Sequence, residues 1–193
     1  QLVGKERSDN YQQLLNDPHK PLMNRATQAQ YAPGSTFKIL QALAALQEGA
    51  ITPNTKYPCN GQTSTPIKCT HNHGSPVDLE EGLEQSCNPY FWALYRDLLQ
   101  QDGYEDGHVH FKEHYNDWRE IIASFGLGER FANTDVREQA KGYLPTTEFY
   151  NRIYGQKGWK AITIRSLSIG QGEILVTPLQ LANQAAAIAN KGY

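Results

Sequence analysis

The sequence predicts part of a mixed α/β domain, represented in this chain mainly by helices and loops. Apolar residues fall at helical spacing from Ser35 to Glu48 and again from Pro178 to Asn190. Few segments alternate apolar and polar residues as half-buried strands do. A chain of 193 residues is long enough for one domain with its own core. We therefore expect most of the central sheet to lie outside this polypeptide.

The first half of the chain shows one strong helix between irregular segments. Residues 1–30 are polar and are predicted to be irregular, with a turn at Asp17–Pro21. The helix that begins at Ser35 has Gly49 where a C-cap belongs. Residues 50–77 contain four prolines, which favours a loop.

The second half alternates short helices with polar segments. Apolar spacing predicts three more helices, at residues 79–84, 89–100 and 118–125. Asn88 is the candidate N-cap of the middle one, since Pro89 suits a first helical position. Residues 101–116 are charged and are predicted to be an exposed insertion. Residues 133–160 show no period, and no structure is predicted there.

Charge and composition exclude some classes of function. The formal net charge is -2, so the sequence predicts no nucleic-acid partner and no binding to an anionic membrane surface. The longest apolar stretch, Ile39–Leu46, is too short to cross a bilayer. The first residues lack the apolar core of a signal peptide and do not begin with Met. We interpret the chain as an excised piece whose export signal or anchor lies elsewhere.

Ser35 and Lys38 are the candidate nucleophile and base. Three residues apart on one helix, their side chains share a face. A serine hydroxyl needs a base, and a lysine serves when burial lowers its pKa so that the amine is neutral near pH 7. Gly34 lets a substrate backbone approach closely. The same spacing also arises by chance, as an N-cap serine and a solvated lysine, so the assignment needs a second motif.

The second motif is Ser86-Cys87-Asn88, which lies just ahead of a predicted helix. Ser-x-x-Lys, Ser-Asp-Asn and Lys-Thr-Gly together are the signature of serine acyl-transferases that react with β-lactams, and Ser86-Cys87-Asn88 matches the second motif at its first and third positions. In that interpretation Ser86 relays a proton between Lys38 and the leaving group, and Asn88 holds a substrate amide. The alternative is that Ser86 and Asn88 only cap the next helix.

With both motifs present, the chain resembles the class B penicillin-binding proteins, and among them the elongation transpeptidases. The resemblance runs in the family's order from about residue 21 to residue 192. Besides the two motifs, it is carried by residues 21–26, 31–34, 49–52, 73–74, 89–91, 125–128, 168–172 and 177–180.

The resemblance implies a transpeptidase domain with a central sheet flanked by helices. It implies that a D-alanyl-D-alanine stem peptide of peptidoglycan acylates Ser35, that D-alanine leaves, and that a neighbouring strand's amine accepts the acyl group. It also implies acylation by β-lactam antibiotics, no cofactor for the chemistry, and a membrane glycan polymerase as partner. The implied location is periplasmic, on the outer face of the cytoplasmic membrane, anchored by an N-terminal helix outside this chain.

One family motif is absent. The strand with Lys-[Ser/Thr]-Gly does not occur before the chain stops at Lys191-Gly192-Tyr193. We therefore expect residues 1–193 to be a partial transpeptidase domain and a poor catalyst by themselves. A β-lactamase or D,D-carboxypeptidase, and a penicillin-sensing or non-catalytic binding module, remain as alternatives. Retention of both Ser35 and Lys38 disfavours a catalytically dead scaffold.

A cluster of sulfur and imidazole side chains lies between the motifs and within the second one. Its members are Cys59, Cys69, His71, His73 and Cys87. Such ligands suit tetrahedral Zn²⁺, and the resemblance adds that related proteins can carry a metal in this loop. Cys59, Cys69, His73 and Cys87 are the candidate ligands of a structural zinc ion. A disulfide between Cys59 and Cys69 is the alternative.

Overall fold

The computed structural model describes residues 6–101, 108–132 and 134–192. Within those ranges eight α-helices follow one another: α1 Arg7–Asn16, α2 Arg25–Gln28, α3 Lys38–Gln47, α4 Leu79–Glu84, α5 Asn88–Leu99, α6 His108–Ser124, α7 Thr147–Tyr154 and α8 Pro178–Ala189. Three 3₁₀ turns lie at Gly34–Phe37, Gly61–Thr63 and Arg165–Ile169. Pairing of extended segments in these ranges is limited to isolated bridges. The predicted helix-and-loop part of a mixed fold is therefore confirmed.

Two polar segments hold helices that were not predicted. Residues 1–30 were expected to be irregular, but α1 and the single turn α2 form within them. Helix α1 is largely exposed and polar, so it shows no apolar stripe. Residues 133–160 contain α7, whose two turns are too short for a clear period. Its N-cap is Thr146, whose hydroxyl accepts the Phe149 N–H.

The predicted exposed insertion at residues 101–116 is wrong in its second part. Helix α6 begins at His108, ten residues before the predicted start at Trp118. Phe111, Tyr115, Trp118 and Ile122 are buried at helical spacing along it. The charged residues between them hide this stripe in the sequence. Residues 102–107 of the predicted insertion lie outside the described residues.

The core forms where α3 packs against α5 and α6. Leu40 and Ala44 of α3 are fully buried. Aromatic rings fill the space beyond them: the Trp118 ring lies 5.2 Å from the ring of Tyr95 and 5.3 Å from that of Tyr115, between centroids. Such pairs add specific packing to the apolar area that they bury. Helix α3 is thus held on two sides, which fixes the segment that begins at Lys38.

Long-range backbone pairs hold the loops around this core. Tyr31 and Val176 exchange both N–H···O bonds, at 2.9 and 2.8 Å. Gln180 of α8 donates from its amide to the carbonyl oxygens of Gly126, Glu129 and Lys141. These contacts bring the segment before α3 beside the segment that leads into α8. In the described ranges, we find no helix both long and apolar enough to cross a membrane.

Candidate active site

Ser35 lies on the 3₁₀ turn Gly34–Phe37, called here the serine turn, and its side chain is exposed. The predicted α-helix from Ser35 therefore begins three residues late, at Lys38. Tight turns of this kind are frequent at helix N-termini. Gly34 has φ +59°, a conformation that glycine adopts without cost. Its N–H donates to the carbonyl oxygen of Gly170 at 2.8 Å.

Gly170 packs closely against the serine turn. It follows the 3₁₀ turn Arg165–Ile169, called here the supporting turn, and has φ +68°. A Cβ on Gly170 would overlap the Gly34 carbonyl oxygen and lie 2.6 Å from Phe37 Cβ. Sequence reasoning assigned Gly170 no role of its own. The signal that was available is the Gly170-Gln171-Gly172 run, because closely spaced glycines often mark positive φ or a close backbone approach.

Lys38 joins the two sequence motifs. Its side chain is buried, with 2% of its surface exposed. The Nζ atom donates to the Ser86 carbonyl oxygen at 2.7 Å, to Ser86 Oγ at 2.9 Å and to Asn88 Oδ1 at 2.7 Å. A protonated lysine has three N–H donors, so these acceptors satisfy all of them. Ser35 is not among the partners of this ammonium group.

Burial lowers the pKa of Lys38 from 10.5 to about 8, although the nearby thiols Cys87 and Cys69 act in the opposite direction. At pH 7 roughly a tenth of such amines are neutral, against fewer than about one in a thousand for an unshifted lysine. A neutral amine has a lone pair and accepts a proton from a hydroxyl. The site thus contains a base of useful strength next to Ser86 and one turn along the chain from Ser35.

Ser86 has a strained backbone. Its φ is +49°, in the left-handed region that a non-glycine residue adopts at a cost of about 1–2 kcal/mol. It occupies the position after α4 where glycine is usual: the Ser86 N–H donates to the Leu83 carbonyl at 3.1 Å, and the Cys87 N–H to the Gly82 carbonyl at 2.9 Å. A strained serine whose hydroxyl meets Lys38 indicates a use for that hydroxyl.

Asn88 was predicted to be the N-cap of α5, but it is the first helical residue of α5. The cap position belongs to Cys87, which makes no side-chain cap bond. Asn88 Oδ1 accepts from Lys38, and Nδ2 donates to the Lys68 carbonyl at 3.2 Å. The side chain is drawn away from the helix end because a buried ammonium needs acceptors more than the exposed helix start does. The described residues leave the second Nδ2 hydrogen without a partner.

The predicted sulfur and imidazole ligands come together. The ligand atoms of Cys59, Cys69, His73 and Cys87 all lie within 4.8 Å of one another. His73 Nε2 lies 3.3 Å from Cys69 Sγ and 3.6 Å from Cys59 Sγ. The three cysteines are buried and free, so the alternative Cys59–Cys69 disulfide is not formed. His71 is exposed and lies outside the cluster.

The chemistry of the four side chains fits a zinc ion. Three sulfur atoms and one imidazole are a common structural zinc set. His73 Nδ1 lies 2.7 Å from the Gly74 carbonyl oxygen, a contact in which Nδ1–H donates and Nε2 is left for a metal. Burial raises the pKa of Cys87, and the neighbouring thiols Cys59 and Cys69 raise it further. A divalent cation between the sulfur atoms would remove that electrostatic cost.

Known proteins share both the sequence and the fold of this chain. Residues 2–193 match the penicillin-binding protein transpeptidase domain family. The peptidoglycan D,D-transpeptidase MrdA of Escherichia coli is 31% identical over 192 residues, which are 96% of this chain and 28% of the relative. The chain thus spans less than a third of that relative's length.

Solved structures share the fold of this chain. PBP2 of Pseudomonas aeruginosa in complex with WCK 5153 has a TM-score of 0.73 and 29% identity, covering 96% of this chain and 40% of that one. A structure on the coordination of polymerisation and crosslinking by a peptidoglycan synthase complex gives 0.71 and 30%, covering 94% and 29%. Penicillin-binding protein A of Mycobacterium tuberculosis, as an imipenem acyl-enzyme, gives 0.67 and 26%, covering 96% and 38%.

These comparisons confirm the resemblance that the two motifs carried. They also agree with the mainly helical architecture of the described residues, which is part of a larger fold in the solved relatives. The family match covers residues 2–193 and therefore includes Ser35, Lys38, Ser86 and Asn88. The chain belongs to the penicillin-binding protein transpeptidase family.

Proposed function

We propose that this chain carries the acyl-transfer residues of a peptidoglycan D,D-transpeptidase, with Ser35 as the nucleophile. The observation that carries the proposal is the buried Lys38 amine, whose lowered pKa and contacts with Ser86 and Asn88 suit a base. The peptidoglycan D,D-transpeptidase MrdA and the imipenem acyl-enzyme among its relatives add support. The proposal concerns the activity of the whole protein, because this chain spans 28% of the length of the MrdA relative.

In the proposed acylation the neutral Lys38 amine takes the Ser35 hydroxyl proton while Oγ attacks the penultimate D-alanine carbonyl of a stem peptide. The Ser35 N–H, at the start of the serine turn, is one donor to the developing oxyanion. The C–N bond then breaks, and Lys38 returns the proton through the Ser86 hydroxyl to the departing D-alanine amine. The second N–H of Asn88 Nδ2 is a donor for a substrate amide.

In deacylation the amine of a neighbouring strand attacks the acyl-enzyme carbonyl. The amine loses a proton to the neutral Lys38, the ester bond to Ser35 breaks, and Ser35 Oγ regains a proton from Lys38. A β-lactam enters the first step only: its strained amide opens on Ser35, and its amine remains attached to the acyl group. The adduct therefore accumulates in a transpeptidase.

The decisive experiment labels the full-length protein with a fluorescent penicillin. We expect one stable adduct per molecule on Ser35, lost in Ser35→Ala, and D-alanine release from a pentapeptide substrate in the parent protein only. Continuous turnover of penicillin would favour a β-lactamase instead. A stable adduct without D-alanine release or cross-linked product would favour a penicillin-sensing module.

We further propose a structural zinc ion held by Cys59, Cys69, His73 and Cys87. Cys87 stands between Ser86 and Asn88 in the chain, so an ion bound to it would restrain both residues that contact Lys38. The chemistry itself needs no metal. Elemental analysis of gently purified protein should give one zinc per chain, and Cys59→Ser should abolish it and lower the melting temperature. His71→Ala is the matched control, because His71 lies outside the cluster. Metal-free parent protein of unchanged melting temperature would contradict this.

We propose that the full-length protein works on the periplasmic or other outer face of the cytoplasmic membrane with a membrane glycan polymerase as partner. The support is the solved relative in which polymerisation and crosslinking are coordinated within one synthase complex. Detergent co-purification of the full-length protein with a glycan polymerase from its native membrane tests this. Recovery of the protein in the cytosolic fraction, without a polymerase, would refute both parts.

A further inference from the structure

A second buried polar side chain lies one turn after Lys38 on α3. Gln41 has 0% of its surface exposed. Its Oε1 accepts the indole N–H of Trp118 at 2.6 Å, and its Nε2 donates to the carbonyl oxygen of Leu167 at 3.1 Å. An unpaired amide would be costly inside an apolar core, so both bonds matter for the folded state.

The two partners fix the orientation of the Gln41 amide. The indole N–H of Trp118 is only a donor, and the Leu167 carbonyl is only an acceptor. A flipped amide would place two donors together and two acceptors together. Trp118 in turn is held between Tyr95 and Tyr115. Gln41 is therefore a rigid link between α3, α6 and the supporting turn.

The Leu167 carbonyl begins a path of hydrogen bonds to the nucleophile. It also accepts the N–H of Gly170 at 3.1 Å, and the Gly170 carbonyl accepts the N–H of Gly34 at 2.8 Å. Gly34 directly precedes Ser35 in the serine turn. The chain itself closes the ring, because Ser35 and Gln41 are joined by the serine turn and the first turn of α3.

We infer that Gln41 is a positioning residue for Ser35, acting through Leu167 and Gly170 and held in orientation by Trp118. This inference rests on the proposed role of Ser35 as the nucleophile. Gln41 holds the supporting turn at a fixed distance from α3, and that turn holds the Ser35 N–H and hydroxyl relative to Lys38. Small displacements of a nucleophile lower the rate of a chemical step far more than they weaken binding.

The test measures acylation of the full-length protein by a chromogenic β-lactam, separating the noncovalent dissociation constant from the first-order acylation rate constant. Gln41→Met removes both bonds at similar volume. Trp118→Phe removes the bond that orients the amide and shortens a buried ring, but it leaves the bond from Gln41 to Leu167. Trp159→Phe is the matched control, since Trp159 is also fully buried and its indole N–H also bonds to a side-chain amide, that of Asn151.

We expect Gln41→Met to lower the acylation rate constant about tenfold or more with an unchanged dissociation constant. Trp118→Phe should lower the acylation rate constant less than Gln41→Met does. Trp159→Phe should leave the acylation rate constant unchanged even where the melting temperature falls. Should Gln41→Met not fold, the two tryptophan variants decide. Unchanged rate constants in the variants at Gln41 and Trp118, or an equal loss in Trp159→Phe, would overturn the inference. A parent protein not acylated at Ser35 would instead refute the proposed function.

Discussion

The pH dependence of Ser35 acylation should report the ionisation of Lys38. Burial places the pKa of that amine at about 8, and only the neutral form accepts the serine proton. The neutral fraction rises from roughly 3% at pH 6.5 to about 75% at pH 8.5. We therefore expect the acylation rate constant to rise about 25-fold over that interval and to level off above pH 9. An unshifted lysine would give about a hundredfold rise without levelling off.

Stopped-flow mixing of the full-length protein with a chromogenic β-lactam at saturating concentration measures this rate constant at each pH. Lys38→Met is the control: it removes the base and should lower the rate constant by about 10²–10⁴ at every pH. The melting temperature of each sample must stay well above the assay temperature, so that unfolding does not imitate the profile. A flat profile, or a Lys38→Met protein that is acylated at the parent rate, would refute the role of Lys38 as base.

Three substitutions test other parts of the account. Ser86→Gly removes the hydroxyl and relieves the strain of a left-handed backbone. Chemical denaturation should therefore show a free energy of unfolding within about 1 kcal/mol of the parent, while the acylation rate constant falls about 10²-fold. An unchanged acylation rate constant would exclude the proton relay through Ser86. Gly170→Ala should lower the free energy of unfolding by about 3 kcal/mol or more, because an added Cβ would meet the serine turn. Gly49→Ala is the matched control: Gly49 also has positive φ after a helix, but its Cβ would meet open space, so about 1 kcal/mol should be lost from backbone strain alone. Similar losses in the two variants would contradict the close packing at Gly170. Tyr95→Phe should raise the free energy of unfolding by about 1 kcal/mol, because the Tyr95 hydroxyl is buried and makes no hydrogen bond in the described residues. A marked loss of stability would mean that this hydroxyl has a partner, such as a buried water.

Residue types and local spacing were enough to select the candidate site residues that the structure brings together. Ser35, Lys38, Ser86 and Asn88 could be chosen because each motif is short and continuous in the chain. The four metal-ligand candidates could be chosen because sulfur and imidazole are few and lie close together in the sequence. The long helices α3 and α5 followed from their apolar period, since each buries one broad face against the core.

Contacts between distant segments were beyond the reach of sequence reasoning. Asn88 was predicted to cap a helix, and only the position of Lys38, fifty residues earlier, draws its side chain elsewhere. The partners of Gln41 lie 77 and 126 residues away, so no local pattern indicates them. Helix α6 was predicted too short, because charged residues that face solvent interrupt its buried stripe of four residues.

The most direct test of the central claim is peptide mapping by mass spectrometry after the full-length protein reacts with a penicillin. We predict one adduct per molecule, on the peptide that contains Ser35, with none in Ser35→Ala. Fragmentation of that peptide should place the added mass on Ser35 and not on Thr36, its hydroxyl-bearing neighbour. An adduct on any other residue, or no adduct on properly folded protein, would contradict the assignment of Ser35 as the nucleophile.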